Sequence, residues 1–245
     1  MIYKEANKMD DFIKKELLKS MDQIAVEMPN IIYNQHFDEY GADMKYPLAI
    51  FVDAFKSINV FCYSLQCVAL TQAGTILRML LEQVSIVWIL AEHPEFLPKY
   101  VEHYKLRKEI HNKCKRDQID IISEKYGIDN TPHALTYLDY GWIKYPEDMR
   151  SGEDAMIIYA GFSDINTWRK KFLDKLTHTA YTTTDLIGET GDFPIITDFI
   201  KIAAKLFDHL CVAFHKMTDF DFIIDGKDLF NGEFRKISIF LNELE

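Results

Sequence analysis

At 245 residues the chain is long enough for a sizeable core, and its 48% hydrophobic content is that of a folded globular protein. A net charge of −10 opposes nonspecific coating of nucleic acid or of an acidic membrane. The four cysteines, Cys62, Cys67, Cys114 and Cys211, form no C-x-x-C pair and no disulfide framework, so they read as buried, reduced thiols of a cytoplasmic protein.

The charged N-terminal stretch lacks the apolar centre of a signal peptide. From Met9, apolar residues recur at three- and four-residue steps through Phe12, Ile13, Leu17, Met21 and Ile24, predicting a helix that Pro29-Asn30 ends or kinks. A second stripe runs from Leu48 to Leu65, with Pro47 tolerated in its first turn. A third helix is predicted from about Thr71 to Ala91. Ser57 to Leu77 carries no charge and approaches membrane-spanning length. Asn59, Ser64, Gln66, Thr71, Gln72 and Thr75 interrupt it, so the expectation is a soluble chain with no membrane partner.

Next comes a long helix from about Phe96 to Tyr126, with Gly127 as its C-cap. Thr131-Pro132 opens a short helix ending near Gly141. Trp142 to Asp154 has the turn chemistry of a long ordered loop. Helices resume at about Thr167–Leu186, Thr197–Met217 and Phe230–Leu244, while Phe220, Phe222 and Ile224 alternate as a short extended piece would. These readings predict one all-α domain over 1–245, a multi-helix bundle around a buried central helix, with 197–245 packing on a core of about 48–186.

Three constellations could carry chemistry. On the third helix Thr71, Thr75, Arg78, Glu82 and Ser85 fall on one narrow line of an otherwise apolar surface. An Arg78–Glu82 pair would keep a poorly solvated guanidinium from standing alone; alternatively, Glu82 orients Arg78 toward an anion. His178 shares the polar side of its helix with Asp174, one turn earlier, which could fix the imidazole tautomer; a solvated histidine fits the same spacing. The run Lys105 to Arg116 is basic in an acidic chain, and Tyr100, Tyr104, Arg107 and His111 align on it. It is either a phosphate-docking face or a solvated surface. There is no Gly-rich phosphate loop, no G-x-S-x-G and no H-E-x-x-H, so no cofactor and no metal are expected.

Arg78 and Glu82 in "RMLLE", Gly141-Trp142 in "DYGWIK" and Thr177-His178 in "KLTHT" together resemble an uncharacterised bacterial, all-helical domain-of-unknown-function 5677 family, over about Leu48 to Leu186. That family is distantly similar to the HEPN superfamily, which includes RNA-cleaving toxins and phage-defence effectors. The usual HEPN signature sets an arginine and a histidine four to six residues apart. Arg107-x-x-x-His111 is one residue too short, and Arg169 lies too far before His178. The resemblance implies that a site would be assembled from Arg78 and Glu82 on one helix and His178 on another; spacing adds Asp174 beside His178, and Tyr104, Arg107, His111 and Trp142 are the candidate ligand contacts. Two functions follow as expectations. One is a binding module, linked to phage defence by the resemblance, with a second copy, RNA or a small anionic ligand as partner. The other is a metal-independent ribonuclease with His178 as acid or base and Arg78 stabilising phosphate charge.

Overall fold

In the computed structural model the described residues are 2–34, 41–129, 131–174, 194–224 and 227–228. They form an all-α bundle. Helix α1 (Ile2–Asn34) lies beside α2 (Lys45–Gln66), and α2 lies beside α3 (Leu70–Glu92). After a short turn at Pro94–Phe96 come α4 (Leu97–Ile110), α5 (Lys115–Tyr126) and α6 (Thr131–Tyr140). Then follow α7 (Glu153–Tyr159), α8 (Ser163–Trp168), a π turn at Arg169–Leu173 and α9 (Pro194–Thr218). The alternating Phe220-to-Ile224 stretch ends in a two-residue strand, Ile223–Ile224, paired antiparallel with Lys227–Asp228.

The amphipathic stripes explain this packing. Leu17, Met21, Ile24, Met28 and Ile32 of α1 are buried, as are Phe51, Phe55, Ile58 and Phe61 of α2. Helix α9 packs across α3 and touches α1 and α2. Phe214 meets Phe51 edge-on at 5.1 Å, and Phe207 meets Phe55 at 6.0 Å. Such T-shaped pairs contribute roughly 0.5–1.5 kcal/mol beyond the area they bury. Pro29 sits inside α1 rather than ending it; the proline removes one backbone donor without stopping the helix.

The uncharged run Ser57 to Leu77 is not one helix. It turns at Cys67–Ala69, where Val68 holds φ 55° and the Ala69 amide donates to the Ser64 carbonyl at 2.8 Å. Lys45–Gln66 and Leu70–Glu92 are each long and apolar enough to cross a membrane by composition, yet 61% and 56% of their most apolar windows are buried within the fold.

The predicted Phe96–Tyr126 helix is two helices. The chain turns at His111–Cys114, and the Gln118 amide closes the turn by donating to the Ile110 and Lys113 carbonyls, 3.2 Å each. The basic run therefore straddles a corner and cannot act as one continuous helical face. Gly127 caps α5 with φ 70°, as its position predicts. Helices α4, α5 and α6 enclose a second small core of Leu106, Ile110, Ile122, Ala134 and Leu138, separate from the main one. Two cysteines depart from expectation. Cys62 and Cys211 are buried, but Cys67 and Cys114 occupy turn positions and are exposed.

Candidate functional site

Arg78 points across α3 toward the start of α7 and the π turn. Its Nε lies 3.2 Å from Asp174 Oδ1 and its Nη2 lies 3.5 Å from Glu153 Oε2. Among the described residues it makes no ion pair with Glu82, so the expected i, i+4 pair is not formed. Pairing in that order is the weaker one on a helix, and carboxylates from two other elements reach the guanidinium instead.

Glu82 takes a different partner: the Tyr140 hydroxyl donates to its Oε1 at 3.4 Å. Burial, and then the negative charge of Glu153, push the Glu82 carboxyl above its ordinary range, against the pull of Tyr140 and Arg107. Glu82 therefore does not orient Arg78.

A second arginine organises the seam. Arg169 opens the π turn, and its side chain is only 4% exposed. Its Nε donates to Asn166 Oδ1 at 3.0 Å, Nη1 to Glu153 at 2.6 Å and Nη2 to Asp154 at 2.5 Å; Nη1 also lies 3.8 Å from Asp174. Lys170 adds a contact to Asp154 at 2.6 Å. Burial pushes the Asp154 carboxyl up, but the Lys170 hydrogen bond and charge together with Arg169 outweigh it, leaving the carboxyl below its ordinary range.

Among the described residues the seam thus gathers Arg78, Arg169 and Lys170 against Glu153, Asp154 and Asp174, three cations facing three carboxylates. Glu153 and Asp154 begin a helix here, so the predicted Trp142–Asp154 loop ends two residues early, and its last two acids are structural partners. Asp174 engages the two arginines. His178 and Thr177 lie outside the described residues, as do the predicted Phe230–Leu244 helix and the end of the Thr167–Leu186 helix.

The sequence reading set Arg169 aside as too far before His178, although a signal for a buried role was present. It stands four residues before Leu173, in line with the apolar side of its helix, where an arginine demands buried partners.

The four candidate ligand contacts do not form one surface. Arg107 pairs with Asp139 at 3.1 Å, so its charge is already matched. Tyr104 is exposed and packs on Tyr46 at 4.9 Å between ring centres. His111 sits exposed at the α4–α5 corner. Trp142 is a core residue, 1% exposed, edge-on to Tyr100 at 5.0 Å, and its Nε1 donates to the Asp139 carbonyl at 3.1 Å.

Gly141 has a steric reason to precede Trp142. A Cβ there would sit 2.5 Å from Tyr137 Cδ2 and 2.6 Å from the Tyr137 carbonyl oxygen. Tyr137 cannot easily yield, because its ring packs against Tyr126 at 5.1 Å and His103 at 5.4 Å.

His103, absent from the sequence-level candidates, is buried, with Nδ1 3.0 Å from the Leu138 carbonyl. A carbonyl only accepts, so Nδ1 carries the proton, and burial, the largest influence, lowers the pKa and keeps the ring neutral. Among the described residues no group of three metal-ligating side chains converges. Comparison of the chain with protein-family models, with curated proteins and with solved structures finds no match.

Proposed function

We propose that this chain is a non-catalytic interaction module whose partner is a second copy of itself. The charge state of the seam supports a structural role for Arg78, since a guanidinium within 3.5 Å of two carboxylates has little attraction left for an external anion. The observation that carries the proposal is the outer face of the α1–α2–α3 layer. Of eight exposed large hydrophobic residues among those described, six lie there: Val26, Tyr33, Val60, Tyr63, Val68 and Met79. Apolar surface gathered on one face is the signature of a contact surface.

The exposed stripe of α2 is also self-complementary. It reads Lys45, Ala49, Asp53, Lys56, Val60 and Tyr63. Placed antiparallel on a copy of itself about a two-fold axis between Asp53 and Lys56, it sets Asp53 against Lys56, small Ala49 against Val60, and Lys45 beside the Tyr63 ring. An isologous interface requires such self-matching. Among the described residues neither Asp53 nor Lys56 has an ion pair, and Lys56 stands over Tyr33 at 5.7 Å.

Sedimentation equilibrium tests the reading. The parent sediments as a dimer, V60E as a monomer, D53K and K56D each weaken association, and the D53K/K56D double exchange restores it. A monomeric parent, or a double exchange no better than the singles, refutes the register.

The ribonuclease reading is supported by the π turn at Arg169–Leu173, since such turns recur at functional sites and this one leads into the segment carrying His178. Its test is cleavage of RNA in chelator that H178A abolishes; intact RNA across a range of salt concentrations overturns it.

A further inference from the structure

A cleft of about 460 Å³ opens between the start of α4, helix α6 and the Gly141–Ser151 loop, away from both the Arg78 seam and the α2 stripe. That volume lies within the range of small-molecule sites. Its walls include Phe96, Tyr137, Trp142 and Tyr145, a largely aromatic lining suited to a flat ring.

Two observations define what the cleft lacks. The Tyr145 hydroxyl is buried and has no hydrogen-bond partner among the described residues, although Tyr145 lines the cleft. A buried hydroxyl left unmatched is destabilising, and a bound acceptor would relieve it. Burial also raises the Tyr145 pKa, so the hydroxyl keeps its proton and can donate.

At the rim stand Lys99 and Lys144, neither with an ion pair among the described residues; Lys99 lies 5.8 Å from the Tyr137 ring centre. The acid on the lining, Glu95, is turned to His93 at 3.2 Å. The rim therefore carries two lysines without an ion-pair partner among the described residues against one acid, in a protein of net charge −10.

We infer that this cleft binds a small planar ring compound bearing an anionic group, with the ring against Phe96 and Tyr137. The anion lies between Lys99 and Lys144, and an acceptor on the ligand accepts a hydrogen bond from the Tyr145 hydroxyl. Binding here does not depend on self-association through α2, because the two surfaces share no residue.

The test uses the full chain and isothermal titration with naphthyl phosphate, naphthoate and adenosine monophosphate, each beside an uncharged counterpart: naphthalene methanol for the first two and adenosine for the third. At least one anion binds, its uncharged counterpart binds about tenfold more weakly, and K99Q/K144Q weakens the anion by about tenfold or more while leaving the neutral compound unchanged. Y145F separates a site from a packing defect, since it weakens the ligand yet leaves the unliganded melting temperature unchanged or raised. Absence of binding by all three anions overturns the assignment. So does binding that is indifferent to charge, to the two lysines or to the Tyr145 hydroxyl.

Discussion

Replacing Arg169 with methionine isolates the worth of the charged seam. The guanidinium is 4% exposed and makes three hydrogen bonds, to Asn166, Glu153 and Asp154. Breaking a fully buried pair by removing one partner costs about 3–5 kcal/mol. Here the penalty is smaller, because the Glu153, Asp154 and Asp174 side chains keep 26–46% of their surface in water. Each also retains a second cation: Arg78 for Glu153 and Asp174, Lys170 for Asp154. The expected loss is about 2–3 kcal/mol. For a domain of this size that lowers the melting temperature by roughly 4–12 °C.

Calorimetry of R169M, R169K and the parent at low and high salt provides the measurement. Lysine restores only part of the loss, because one ammonium cannot span the fork that joins Asn166, Glu153 and Asp154. A loss under about 1 kcal/mol, or full rescue by lysine, refutes the view that Arg169 pins α7 to the π turn.

Other substitutions probe separate links. R78Q, at a side chain one-third exposed, costs only about 0.5–1 kcal/mol in urea denaturation, and a larger loss would mean that Arg78 rather than Arg169 holds the seam. The Glu82 carboxyl is pushed above its ordinary value of 4.5, so the folded state binds its proton more tightly than the unfolded state. Stability from this group is therefore lost as pH rises from that value through the folded pKa. The melting temperature of E82Q relative to the parent should accordingly be higher at about pH 7 than at about pH 4, and a flat difference contradicts the burial of that carboxylate. V68G releases a β-branched residue from φ 55° and should gain about 1 kcal/mol in chemical denaturation. G141A forces a methyl group into Tyr137 and should cost about 2 kcal/mol, visible as a lower urea midpoint at unchanged slope.

Which parts were legible follows from the kind of signal each left. Helices α2, α3 and α9 carry long apolar stripes, so their extents could be read to within a few residues. The α4–α5 corner could not, because the only apolar side chains of Lys105 to Arg116 are Leu106, Ile110 and Cys114, whose four-residue step runs on through the turn with no change of period. The turn is made by Gln118 reaching back to two carbonyls, an event local in space that no hydrophobic pattern encodes. Arg78 was visible as a polar residue on an apolar helix, but its partners were not. Periodicity reports which face a residue occupies and is silent about which distant acid arrives there. Trp142 was marked by its pairing with Gly141; that pair reflects a backbone too close to Tyr137 for any Cβ.

The second small core has a consequence for motion. Helix α5, with the end of α4 and most of α6, buries its own five-residue cluster, while Tyr100 and Val101 hold the start of α4 in the main core, so α5 can open with little disturbance of the α1–α2–α3–α9 layers. Amides of α5 would then exchange with solvent long before those of α3. Phe96 and Trp142 belong to or pack on the main core, and Lys99 precedes Tyr100 and Val101 there, whereas Tyr137 is carried by α6, so the cleft straddles the boundary between the two clusters. A molecule lodged there would fasten the loose unit to the rigid one, and its presence would be recorded as slowed exchange throughout α5, a helix it never touches.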